Sequence, residues 1–137
     1  MATPPEMILA ILLNKPEHAS HAMAIVPAES YPPDVRPIAE AINRVRVNGG
    51  RPDAVAVLDA VQSAGLLDRI GGPARIFHIN GLYITDDNLD YHLEQVSDVN
   101  RLRDLRAMIA RADQAAQDTE ARAVDIASRL EAGAKAI

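Results

Sequence analysis

The sequence predicts an all-α protein: a compact orthogonal helical bundle that forms a head, followed by a long C-terminal αα-hairpin. Three observations predict it. Among 137 residues there are 24 alanines and only four aromatic side chains, Tyr31, Phe77, Tyr83 and Tyr91, so the core is expected to consist of small and aliphatic groups between closely spaced helices, not the aromatic and β-branched residues that fill sheets. Apolar side chains recur at intervals of three and four, the spacing of one helix face. Finally, all nine prolines lie between Pro4 and Pro73, whereas neither glycine nor proline occurs from Leu82 to Ala132. The punctuated stretch, 1–84, is assigned to the head and 85–137 to the hairpin, together one domain of ordinary size.

The elements follow in order. Thr3-Pro4-Pro5-Glu6 places a capping hydroxyl, a proline at the first helical position and a glutamate able to reach back to the cap's N–H, so a helix starts at Pro4, carries Met7, Ile8, Ile11 and Leu12, and ends near Asn14. Pro16 opens a second short helix bearing Ala19, Ala22, Met23 and Val26, limited by Pro27. Between Ser30 and Asn48 the stripe Val35, Ile38, Ile42, Val45 marks a third, stopped by Gly49-Gly50. Asp53 is the expected N-cap of a fourth, with Val57, Leu58 and Val61 as its buried side and Gly65 as its stop. After the apolar connector Leu66, Leu67 and Ile70, Pro73 begins a fifth helix running to Asn80 and Gly81, with Phe77 expected in the core. Leu82-Tyr83-Ile84 is read as a buried loop, since no second strand exists to pair with it.

From Thr85 onward the chain reads as long helix. Asp86, Asp87, Asp90, Glu94 and Asp98 crowd its start, and Arg101, Arg103, Arg106 and Arg111 follow, so two antiparallel copies would be complementary. Leu102, Leu105, Ile109, Ala112 and Ala116 are spaced 3, 4, 3, 4, the heptad signature of a two-helix seam. Gln117-Asp118-Thr119-Glu120 is read as a polar turn, after which Ala123, Ile126, Ala127, Leu130 and Ala134 form the hairpin's second helix. The candidate self-association residues are therefore Leu102, Leu105, Ile109, Ala112 and Ala116, facing Ala123, Ile126 and Leu130 or their symmetry copies. Two helices alone have little to bury, so the hairpin needs a cover, either the head folded back on it or the same hairpin of a second chain. The charge polarity favours a homodimer.

Composition narrows the function. A net charge of −5 and a pI near 5.3 leave no basic footprint for phosphate-dominated binding, so no direct DNA contact is expected. The acidity is concentrated from Leu82 to Ala132, where eleven acidic residues face six basic ones. No cysteine is present, which removes disulfides and thiolate chemistry. No signal peptide or membrane span is read, and a cytoplasmic location is expected. Neither glycine pair leads into the Gly-Lys-Ser/Thr of a phosphate loop, and Asp86–Asp90 lacks the order and the terminal glutamate of a calcium loop. His18 and His21 stand at i, i+3 with Glu17 beside them, the one pattern from which a small metal-dependent hydrolase could be built. Zinc wants three or four ligands, however, so no catalytic, cofactor-binding or metal-ligating residue is assigned.

Several phrases, in order, resemble the N-terminal domain of DnaB-type replicative DNA helicases. Pro5-Glu6-Met7-Ile8-Leu9-Ala10-Ile11-Leu12-Leu13 is similar to that family's first helix, Glu29-Ser30-Tyr31 stands where the family has Asp-Phe-Tyr, and Ile38-Ala39-Glu40-Ala41-Ile42 resembles its third helix. Gly50-Arg51-Pro52-Asp53 with Val55 and Val57 resembles the family's Gly-x-Pro-x-Asp-x-Val-Thr-Leu phrase. Gly65-Leu66-Leu67-Asp68-Arg69-Ile70-Gly71-Gly72 is the best match, to Gly-Leu-Leu-x-x-Val-Gly-Gly, and Asn88, Tyr91 and Val96 follow in place. Ser30, Val35, Pro37 and Ala56 depart from the family pattern. The resemblance implies a non-catalytic domain that pairs through its hairpin, joins a hexameric ring and contributes to binding primase or a loader. ATP and magnesium would be needed only by a downstream motor domain. The helicase-binding domain of a primase, which shares the fold, is the alternative.

Overall fold

A computed structural model describes residues 1–136, with side chains described for 1–125, 127 and 128. Among these residues the regular structure is entirely helical, as the composition predicts. The six α-helices are α1 (Pro4–Asn14), α2 (Ala19–Ile25), α3 (Arg36–Val47), α4 (Ala54–Ser63), α5 (Pro73–Asn80) and α6 (Leu89–Ala136). Short 3₁₀ turns occupy Pro16–His18, Ala28–Ser30 and Leu67–Ile70. Two compact units are resolved, Met1–Asn100 and Arg101–Ile137. None of the described helices is long and apolar enough to cross a membrane.

In the first unit α1 is the central element. Its N-terminus closes with the expected capping box: Glu6 N–H donates to Thr3 Oγ1 at 3.4 Å and Thr3 N–H donates to Glu6 Oε1 at 3.0 Å. All six residues from Ile8 to Leu13 are buried, a broader face than the expected stripe and the mark of a helix surrounded by others. α1 packs on α3 and α5, and α3 packs on α4 and α2. The core joins Ile8, Leu9, Ile11 and Leu12 to Ile38 and Ile42 of α3, Val57 and Val61 of α4, and Ile76 and Ile79 of α5. Leu89, Leu93 and Val96 from the first turns of α6 complete it.

Polar contacts pin the helix ends. Asn14 Nδ2 donates to Ala10 O at 2.8 Å and Asn80 O at 2.9 Å, tying the C-termini of α1 and α5 together. Arg75, at the start of α5, reaches Glu6 at 3.3 Å and Asp34 at 3.2 Å. Burial alone would raise the Glu6 carboxyl, but the hydrogen bonds from Thr3 and the Arg75 charge hold it below its ordinary value. The phrase Gly65-Leu66-Leu67-x-x-Ile70-Gly71-Gly72 has a backbone reason. Gly65 closes α4 with a φ of 71°, while Gly71 and Gly72 turn the chain from the 3₁₀ segment into α5 with φ of 91° and 89°. A side chain would be strained in all three conformations.

Three expectations change. Phe77 is 48% exposed, because the buried stripe of α5 is set by Ile76 and Ile79 and leaves residue 77 to one side of it. The 82–84 loop is buried only in part: Leu82 and Tyr83 pack against the core, whereas Ile84 is exposed. Most consequentially, the turn expected at 117–120 is helix, so the C-terminal part is one helix, α6, not a hairpin. The polar residues that suggest a turn instead bond along the helix. Gln114 Nε2 donates to Asp118 Oδ1 at 3.2 Å and Gln117 Nε2 to Asp113 Oδ2 at 3.2 Å, two side-chain pairs four residues apart that support a helix, and Thr119 Oγ1 donates to Ala115 O of the preceding turn at 3.0 Å, so its hydroxyl caps no new helix start.

Candidate functional site

The candidate self-association residues all fall on α6. Leu102, Leu105, Ile109, Ala112, Ala116 and Ala123 are exposed, with Leu102 47%, Leu105 50% and Ile109 59% accessible. Ile126 and Leu130 are on the same helix, but their side chains lie outside the described residues. Because α6 does not turn, the Leu102 set and the Ala123 set cannot face each other within one chain. They instead continue a single register: Thr119 occupies the step between Ala116 and Ala123, so the 3, 4 alternation runs from 102 through 123 and on to the positions of 126 and 130. At 1.5 Å per residue, the stretch from 102 to 123 is about 32 Å long. Its upper part carries branched aliphatic side chains and its lower part alanines.

Charge along this stretch is divided. From 101 to 111 there are four arginines against Asp104, and from 113 to 125 four acids, Asp113, Asp118, Glu120 and Asp125, against Arg122. Arg103 Nε lies 3.6 Å from Asp104 Oδ1, both exposed, a contact worth little in water. All described side chains of 101–125 are exposed, and Leu102, Leu105 and Ile109 form an uncovered apolar row among them.

The histidines resolve differently from a metal site. His18 Nε2 lies 2.7 Å from Asp86 Oδ2, and His21 Nε2 lies 2.7 Å from Asp90 Oδ1. His18, just before α2, and His21, on α2, thus meet Asp86, in the turn before α6, and Asp90, in its first turn, fastening that start within the first unit. The His18 hydrogen bond holds Asp86 below the ordinary carboxylate range. Each histidine takes its own carboxylate, and among the described residues no three His, Asp or Glu side chains gather to hold a metal ion. Sequence reasoning finds the histidine pair and the acidic run separately. The matching spacings, i, i+3 against i, i+4, are the available signal for joining them.

Comparison with known proteins places these features. The family model described as DnaB-like helicase N terminal domain matches residues 5–98, more than half of the chain. Among solved structures, the crystal structure of the N-terminal domain of DnaB helicase from Mycobacterium tuberculosis is similar in fold. It has a TM-score of 0.75 and 24% sequence identity, covering 81% of this chain and 78% of that one. No curated protein is similar enough to match.

Proposed function

The chain belongs to the DnaB-like helicase N-terminal domain family, and from that premise we propose that it is the non-catalytic assembly and interaction domain of a replicative DNA helicase. It pairs with a second copy, contributes to a hexameric ring and presents a surface to primase or a helicase loader. ATP and magnesium serve a motor domain, not this one. The family match is to the helicase domain, which favours that reading over a primase's helicase-binding domain.

The observation that carries the proposal is the uncovered seam of α6. Leu102, Leu105 and Ile109 leave a contiguous apolar row in water, and the alanines below them permit close backbone approach. An antiparallel second copy sets each aliphatic residue against a small one: Ile109 against Ala112, Leu105 against Ala116 and Leu102 against Thr119 of the other chain. The same register brings Arg106 beside Asp113 of the other chain, twice by symmetry. A parallel pair would instead align the two basic stretches and the two acidic stretches, which costs stability.

Sedimentation equilibrium tests this. The wild type should self-associate, and Ile109→Asp should weaken association about tenfold or more, the equivalent of ~1.4 kcal/mol or more, while the melting of the first unit stays unchanged. Arg106→Asp and Asp113→Arg should each weaken the pair, and the double exchange should restore it. A wild type that stays monomeric, or an Ile109→Asp protein that associates as well as wild type, contradicts the proposal.

A further inference from the structure

Two Asn-Gly steps occur in the chain, in nearly the same local sequence: Val47-Asn48-Gly49 and Ile79-Asn80-Gly81. Asparagine is a chemically labile residue, most of all before glycine, where the next backbone nitrogen can attack the carboxamide carbon and no side chain hinders its approach. With a β-branched residue ahead of each, local sequence does not separate the two steps. Their settings in the first unit do, since Asn48 is the C-cap of α3 and Asn80 is the last residue of α5.

Asn80 is half-buried and tied. Asn14 Nδ2 of α1 donates to Asn80 O at 2.9 Å and to Asn80 Oδ1 at 3.2 Å, and Gly81 N–H donates to Phe77 O at 3.0 Å. For a glycine nitrogen to reach the carboxamide carbon before it, the asparagine backbone must turn out of its helix-end conformation. At Asn80 that motion undoes the link between α1 and α5. Asn48, Gly49 and Gly50 are instead exposed, and among the described residues the Asn48 carboxamide has no hydrogen-bond partner. The same motion there breaks only the closing bonds of α3, Gly49 N–H to Arg46 O at 3.0 Å and Gly50 N–H to Val45 O at 2.9 Å. Nothing lies within 4 Å of where a Gly49 side chain would stand, so no packed group resists it. Helix ends of this kind open at the least cost in a folded chain.

We propose that Asn48 is a site of spontaneous covalent modification, converting to aspartate and isoaspartate, while the fold protects Asn80. Solvent base takes the Gly49 amide proton and the nitrogen bonds to Asn48 Cγ; the Cγ–Nδ2 bond breaks, and Nδ2 takes a proton from water and leaves as ammonia, closing a succinimide ring. Water then opens the ring. Cleavage at Cγ gives aspartate, and cleavage at the former peptide carbonyl carbon gives isoaspartate, with the main chain rerouted through Cβ and Cγ. One water is consumed for each ammonia released, and nothing is oxidised or reduced. Either product sets a carboxylate at the C-terminal end of α3, where the helix dipole disfavours it. Isoaspartate also lengthens the main chain between α3 and Asp53, the N-cap of α4.

The test incubates the full chain under warm, mildly alkaline conditions and follows both sites by peptide mapping with mass spectrometry, with isoaspartate read by an isoaspartate-specific carboxyl methyltransferase. In the folded protein, Asn48 should convert at least about tenfold faster than Asn80. In urea that unfolds the chain, the two rates should come within about threefold of each other, because the protection belongs to the fold. Asn48→Gln keeps the amide but closes the ring far more slowly, so it should remove most of the isoaspartate formed by the folded protein. Absence of conversion at Asn48, equal rates at the two sites in the folded protein, a preference for Asn48 that persists undiminished in urea, or an unchanged isoaspartate yield in Asn48→Gln would overturn the proposal.

Discussion

The first unit and the exposed stretch of α6 are both helical, but for different physical reasons. In the first unit each α-helix contributes buried residues to one core, and α1 is enclosed over six successive positions. Burial there selects the crossing contacts, while caps and glycine turns set the helix ends. From 101 to 125 no described side chain is buried, so helicity comes from local terms: alanine and arginine propensity, the absence of glycine and proline, and i, i+4 contacts such as Gln114 with Asp118. Such terms hold a helix only marginally in water. The first unit is thus covered by its own core, whereas the α6 stretch leaves its apolar row open, the row that the proposed function gives to a second copy.

The largest difference should appear under truncation of aliphatic side chains. Leu12→Ala, which opens a cavity beneath α1, should cost the first unit about 2–5 kcal/mol, read by urea denaturation. Leu102→Ala should leave that transition within ~0.5 kcal/mol and act instead on self-association. A similar loss from both would erase the distinction between the two regions.

A smaller effect, of opposite sign, is expected at Tyr31. Its ring is fully buried, its hydroxyl has no hydrogen-bond partner among the described residues, and burial pushes its pKa well up. Tyr31→Phe removes an unsatisfied polar group while keeping the shape, and should stabilise the first unit by ~1 kcal/mol; a loss of stability would mean that the hydroxyl is used.

The smallest effect concerns the contact of His18 with Asp86, which fastens the start of α6 beside α2. Asp86 has a lowered pKa in the folded protein, so the unfolded chain takes up its proton first. The stabilisation is therefore complete above the ordinary aspartate value, 3.8, and is lost as pH falls through the lower folded value. Melting curves of wild type and Asp86→Asn should differ at pH 6 and converge as the pH is lowered below about 4. A gap that widens as the pH falls below about 4 would contradict the assignment.

What is legible in the sequence follows the same division. Thr3, Asp53, Pro73 and Gly65 announce their helix ends because capping is a local matter of one or two hydrogen bonds or one backbone angle. The side of α5 that is buried is not legible, since Phe77 is the largest apolar group there and only packing shows that Ile76 and Ile79 set the phase. Spacing alone finds the seam residues of α6. Their connection is obscured because a polar tetrad at 117–120 resembles a turn, although the lack of any glycine or proline from 82 to 132 is the better guide.

Hydrogen–deuterium exchange as a function of protein concentration addresses the central claim most directly. If a second copy completes α6, the amides of 101–125 exchange quickly in dilute solution and become protected as concentration rises, while those of α1 and α3 are equally protected throughout. Protection of 101–125 that does not change with concentration, whether high or low, would contradict completion of this helix by a second copy.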